Sequence, residues 1–227
     1  MKNKMIIYIF WILCIADIVA ATYNYTILQW TAKPLLLPCL VYLFVNETRN
    51  ANKNRNRLMV TGLLFCWLGD VLLLFESSNS LFFIFGLASF LLGHIFYILY
   101  FTKIPSKSTK IPLQKLLILL PVVIFVFGLL SILYPSLGEL KIPVTLYAMV
   151  LGCMLSMALR QYKKIDFNIA LLFITGAASF VVSDSLLAIN KFYHPIPQPG
   201  FFIMFTYCLA QYLIVMGAIK LSKNKNQ

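Results

Sequence analysis

Charge is scarce in this chain: 11% of its 227 residues are Asp, Glu, Lys or Arg, and only 7 are acidic. Soluble domains carry about 25% charged and about 45–50% apolar residues. A chain that is 61% hydrophobic, with a mean hydropathy of +0.86, falls outside that class. Histidine is scarcer still, at 2 residues, so a three-histidine zinc site cannot be built within one chain, and no HExxH occurs. The five cysteines (Cys14, Cys39, Cys66, Cys153 and Cys208) show no CxxC spacing and all lie inside apolar runs. That supports neither a disulfide framework nor a thiolate metal site, and small buried hydrophobes are expected. No metal and no cofactor are expected. Ser183 and Ser185 have no G-x-S-x-G turn around them, so a serine nucleophile is not expected either. The net charge of +12 would suit nucleic acid, but the Lys and Arg residues cluster in short gaps between apolar runs. No nucleic-acid partner is expected on that distribution.

What the chain has in abundance is long apolar runs. Eight can be marked, at 5–23, 28–45, 58–75, 81–101, 113–134, 143–159, 169–189 and 201–221. Most approach the ~20 residues that cross ~30 Å of hydrocarbon, and they are too long and too uniform for the ~9–11-residue alternating strands of a barrel. Helices satisfy their backbone groups internally. The expected fold is therefore all-α: a polytopic membrane protein of eight transmembrane helices, with residues 1–227 forming a single transmembrane domain. The first run has signal-peptide features, with Lys2 and Lys4 ahead of it and Ala20 and Ala21 behind. Asp17 interrupts it, and a retained first helix is expected. Assigning the gaps alternately to two sides puts all but Lys33, Lys141 and Lys191 of the 19 basic residues on one side. The positive-inside rule then places both termini in the cytoplasm. The expected location is the bacterial cytoplasmic (inner) membrane.

Two of the runs share a pattern. Gly62-Leu-Leu-Phe-Cys-Trp-Leu-Gly-Asp70-Val-Leu-Leu73 and Gly176-Ala-Ala-Ser-Phe-Val-Val-Ser-Asp184-Ser-Leu-Leu187 each set a Gly eight residues before an Asp, with a Leu pair after it. A carboxylate at a membrane-helix centre costs roughly 2.5–3.5 kcal/mol on insertion scales, so Asp70 and Asp184 carry the sharpest functional signal. They sit in the third and seventh runs, which point the same way, and a parallel four-plus-four repeat would account for them. At ~1.5 Å per residue Asp70 lies ~18 Å above the cytoplasmic edge, Asp184 ~22 Å and Asp17 ~18 Å. Lys33, entering from the other side, comes to ~22 Å. Three carboxylates and one ammonium thus share a layer in the outer half of the bilayer.

Such residues could be paired purely for folding. Their functional reading rests on the low dielectric: two nearby carboxyls in an apolar site cannot both ionise cheaply, so one keeps its proton. That gives a general acid beside a carboxylate base, suited to acid-assisted hydrolysis and equally to proton relay in a transporter. Lys33, before Pro34, could snorkel to the interface, pair with Asp17 or hold an anionic headgroup. His94 lies at ~10 Å, below the carboxylate layer. Tyr207 and Gln211 share a face of the last helix at i, i+4 and are candidates for interhelical hydrogen bonds or for substrate.

These residues carry a resemblance. The matching pieces are Lys33-Pro34, Trp67-Leu-Gly-Asp70, Phe85-Gly86 with Gly93-His94-Ile-Phe-Tyr97, the stretch from Gly176 to Asp184, and Tyr207 with Ala210-Gln211-Tyr-Leu-Ile214. In order and spacing the chain resembles the YhhN-like lysoplasmalogenase family of multi-spanning membrane proteins over nearly its whole length. The resemblance implies hydrolysis of the vinyl-ether bond of a lysoplasmalogen, a lysophospholipid, to a fatty aldehyde and glycerophosphoethanolamine or glycerophosphocholine. It carries Asp70 and Asp184 over as the acidic, catalytic positions. Lys33, His94 and Gln211 carry over as motif positions, and these three with Tyr207 are the substrate-binding candidates. Asp17 is outside the family pattern and stands as an accessory candidate on its depth alone. The rival class is a proton-coupled transporter or lipid flippase that uses the same buried aspartates.

Overall fold

The computed structural model describes residues 2–49, 52–105, 119–162 and 164–224, and within them the chain is helical throughout, with turns between. Eight α-helices follow in order: α1 Lys2–Tyr23, α2 Thr26–Glu47, α3 Lys53–Leu74, α4 Leu81–Thr102, α5 Leu120–Leu133, α6 Lys141–Leu159, α7 Phe167–Ala188 and α8 Pro199–Asn224. Seven are long and apolar enough to cross a membrane, while the fifth apolar helix is shorter, at Leu120–Ser136. The expected beginning of the fifth run, from Leu113, lies outside the described residues, as do Lys107, Lys110, Lys115, Lys163 and Lys225 of the basic gaps. The protein is a polytopic, all-helical membrane protein.

Helices α3 and α7 begin a few residues before their apolar runs because each has a capping residue. The Asn52 side chain accepts from the Arg55 amide at 3.1 Å, and Asp166 accepts from the Asn168 and Ile169 amides at 3.0 and 3.3 Å. Capping satisfies amides that the first turn leaves unpaired. Asn24, with φ at 58°, takes the left-handed conformation that turns α1 into α2.

The chain forms two compact units, one of residues Met1–Tyr100 with Ala218–Gln227 and one of Phe101–Gly217. In the first, α1 buries the stripe Ile6, Phe10, Cys14, Asp17 and Ala20, the three-and-four spacing of a helix face, and packs against α2. Pro38 in α2 has no N–H, so the Pro34 carbonyl lacks its helical partner. The Trp67 indole of α3 donates to that carbonyl at 2.8 Å. Lipid offers no water to do this, and a neighbouring helix must. Helices α3 and α4 approach through glycines. A Cβ added at Gly93 would lie 2.6 Å from Cys66 Sγ and 3.1 Å from the Gly62 carbonyl. One at Gly69 would lie 2.7 Å from the Phe90 ring, and one at Gly86 would lie 3.0 Å from Leu73. Small residues at seven-residue spacing on both helices let the backbones close, which is how membrane helices gain packing energy without a hydrophobic drive. At the basic end, Glu47 takes an ion pair from Lys223 and a hydrogen bond from Asn3, and Asn46 donates to Asn3 at 2.9 Å.

In the second unit α6 packs on α5 and α7, and α7 meets α8 as α3 meets α4. A Cβ at Gly176 would lie 3.1 Å from the Ala210 carbonyl and 2.9 Å from the Ile214 side chain. A Cβ at Gly62 would lie 3.2 Å from the Gly93 carbonyl and 2.8 Å from the Tyr97 ring. In both cases the motif glycine faces a carbonyl and the side chain four residues beyond it, on the next helix in the chain.

Candidate active site

Asp70 follows Gly69 on α3 and is 2% exposed. Its level is fixed by the α3–α4 register: Gly69 faces Phe90, while Cys66 faces Gly93. His94, 0% exposed, therefore lies about one helical turn, ~6 Å, to the basic side of Asp70. Depth counted along the chain gives the same direction.

Asp17 on α1 is 0% exposed, and neither of its carboxyl oxygens has a hydrogen-bond partner among the described residues. Lys33 on α2, 8% exposed, is the charge that acts on it. Lys33 is thus a buried residue, and no hydrogen bond joins it to the Asp17 carboxyl.

Asp184 is half-buried on α7, and Tyr147 of α6 donates its phenol to Asp184 Oδ2 at 2.5 Å. Tyr147 is not among the residues that the sequence singles out. One signal could have found it: from the outer end of its run Tyr147 falls at ~24 Å on the depth scale, level with Asp184. The chain has 12 tyrosines, and depth alone does not single one out. The neighbouring serines are occupied by backbone. Ser183 donates to the Ile203 carbonyl of α8 at 3.0 Å, tying the two helices, and Ser185 donates to Val181 within α7 at 2.6 Å.

On α8, Tyr207 and Gln211 are both buried, and Gln211 Nε2 approaches the Tyr207 hydroxyl at 3.4 Å, a long contact within the helix. The Tyr207 ring stands edge-on to Phe180 of α7, with centroids 5.5 Å apart. The two glycine contacts make positions correspond: Ala210 stands to Asp184 as Gly93 stands to Asp70, so Gln211 occupies in α8 the place His94 holds in α4, and Tyr207 that of Phe90. The repeated motif thus includes the polar residue on the following helix, which the linear pattern does not reveal.

An apolar groove of about 450 Å³ runs between α5 and the end of α7, lined by Phe125, Gly128, Ile132, Val182, Ser185 and Leu186 among others. Its residues Val182, Ser185 and Leu186 of α7, with Ile189 just beyond, recur at helix-face spacing, and Asp184 lies on another face of α7. Among the described residues no three His, Cys, Asp or Glu side chains converge as metal ligands would.

Helical spans, a repeated Gly–Asp motif and buried acids on glycine-packed helices define a polytopic membrane protein with ionisable groups held inside its apolar layer. The YhhN family model matches residues 28–218, and the chain belongs to the YhhN family. That match takes in Lys33, Asp70, His94, Asp184, Tyr207 and Gln211 and leaves Asp17 outside. Human lysoplasmalogenase TMEM86A is 31% identical over 176 residues, 75% of this chain and 68% of its own length. Human lysoplasmalogenase TMEM86B is 30% identical over 163 residues, covering 71% and 64%. A lysoplasmalogenase of Mycobacterium bovis is 30% identical over 164 residues, covering 71% and 60%. The chain thus spans 60–68% of the length of these relatives. No solved structure matches it.

Proposed function

We propose that this protein is an ether hydrolase of the membrane that cleaves the vinyl-ether bond of lysoplasmalogens. The observation that carries this is the alignment with several relatives named lysoplasmalogenase at about 30% identity, over a family match that spans both Asp motifs. The products are a fatty aldehyde and glycerophosphoethanolamine or glycerophosphocholine, and the setting is the bacterial cytoplasmic membrane.

The chemistry asks for little equipment. A proton added to the outer carbon of the C=C bond gives an oxocarbenium ion, water adds to it, and the hemiacetal collapses to aldehyde and alcohol. One protonated carboxyl and one carboxylate suffice, the second steadying the cation and taking the water's proton. We assign the carboxylate role to Asp184. Tyr147 donates its only hydroxyl proton to Asp184 Oδ2, so that carboxyl acts as an acceptor there, and the phenol fixes its direction. Asp70 supplies the proton to carbon. Lys33 holds the phosphate, with Asp17 as its internal counter-charge. His94, Tyr207 and Gln211 offer hydrogen bonds to the glycerol end. The groove between α5 and the end of α7 takes the single hydrocarbon chain, since its walls are almost wholly apolar.

The test uses the protein purified in detergent and three lysophospholipids that differ only in the first chain's linkage: vinyl ether, saturated ether and ester. Only the vinyl ether can be protonated at carbon. Aldehyde release from it, with no cleavage of the saturated ether, is the expected result. Cleavage of the ester alone, or no cleavage by well-folded protein, overturns the proposal.

A further inference from the structure

At the basic end of the first unit, between the last turn of α2 and the first turns of α3, lies an open cavity of about 400 Å³. Three cations line it, Arg49, Lys53 and Arg57, over apolar walls from Phe44, Val45 and Val60. Topology alone accounts for cations at this end of the helices. It does not require three of them to meet at one cavity with a hydrocarbon floor. No carboxylate lies within ion-pair distance of any of the three among the described residues. Glu47, the acid nearest in sequence, is engaged instead by Lys223 and Asn3. A fourth cation, Arg55, is buried in the same turn of α3 with its Nε unpartnered among the described residues, its guanidinium 5.9 Å from the Tyr100 ring. The local field is therefore positive and uncompensated. The Thr61 hydroxyl on the cavity wall adds a hydrogen-bond donor.

We propose that this cavity binds a phosphate-bearing anion through Arg49, Lys53 and Arg57. Phosphate fits the cations, and the apolar walls fit the first carbons of a lipid attached to it. Basic pockets between helices on the cytoplasmic side are where anionic headgroups settle. The site is separate from the proposed hydrolytic one, for Asp70 lies about four turns further along α3, and the cavity needs nothing from that reading.

The experiment uses the full chain, purified in an uncharged detergent. Its unfolding temperature and its bound lipid by native mass spectrometry are followed with phosphatidylglycerol, phosphatidylcholine, inorganic phosphate, and chloride at equal ionic strength. Phosphatidylglycerol should bind and stabilise the wild type where phosphatidylcholine and chloride do not. Its affinity should fall about 100-fold in the R49Q/K53Q/R57Q variant, from the usual contribution of each basic residue near an anionic surface. The K103Q/K220Q variant, which removes two cations that do not line the cavity, should bind as the wild type does. If inorganic phosphate reproduces the stabilisation, the ligand is a free phosphate; if only the lipid does, it is a headgroup. Equal binding of phosphatidylglycerol by the wild type and the triple variant overturns the proposal. Should the triple variant fail to fold, the wild type decides alone, and an identical response to all four additions refutes the site.

Discussion

Asp70 and Asp184 stand out in the sequence because an acid in an apolar run has a large cost that chance does not preserve twice in one pattern. Tyr147 does not stand out, because a tyrosine in such a run costs little, and only its 2.5 Å bond to Asp184 separates it from the other tyrosines. If that phenol orients the catalytic carboxylate, Tyr147→Phe should lower kcat about 10-fold with KM little changed, since a hydrogen bond to a charged group is worth about 1.5–3 kcal/mol. Steady-state kinetics on the vinyl-ether lysolipid measure it. Wild-type kcat in the folded variant would remove Tyr147 from the mechanism. Lys33 is legible in the sequence as a candidate for pairing with Asp17, but whether two such residues meet depends on rotation about the helix axes, which residue depth does not record.

The helices themselves are readable as runs, with boundaries a few residues off where a polar first turn hides behind a cap, as at Asn52 and Asp166. Their pairing is not. Gly62, Gly69, Gly86 and Gly93 appear in the sequence as spacing, and only the structure shows that they face the neighbouring helix and so set the level of Asp70 against His94. Gly93→Ala should lower stability by about 1–3 kcal/mol, as overpacking does, because the new methyl meets Cys66 and the Gly62 carbonyl at 2.6 and 3.1 Å. Trp67→Phe should cost about 1–3 kcal/mol by leaving the Pro34 carbonyl unpaired. Thermal unfolding of each variant in detergent reads both. An unchanged Tm in Trp67→Phe would mean that another donor reaches the carbonyl. Gly128 lines the groove between α5 and α7, and a Cβ there meets nothing within 4 Å. Gly128→Phe should therefore fold normally and shift the preference of the enzyme toward shorter chains, seen as a rise in KM for long-chain substrate. An unaltered chain-length profile would place the chain elsewhere.

At the scale of the whole molecule, scarce charge and long apolar runs lead directly to a polytopic helical membrane protein, and the ordered motif pieces lead to the YhhN family; the family match over residues 28–218 and the helical structure agree with both. Chemistry is less legible than fold, because hydropathy reports which residues lie in lipid and not what they act on. Lysoplasmalogen cleavage is proposed for this chain from its relatives, and the proposed mechanism assigns it to the aspartates. The decisive measurement is fatty-aldehyde release from lysoplasmenylethanolamine by the wild type, Asp70→Asn and Asp184→Asn, each purified and shown to be folded. The account predicts aldehyde from the wild type and a loss of about 100-fold to 10,000-fold in either variant, the usual contribution of a general acid or base. Near-wild-type release by both variants would contradict it.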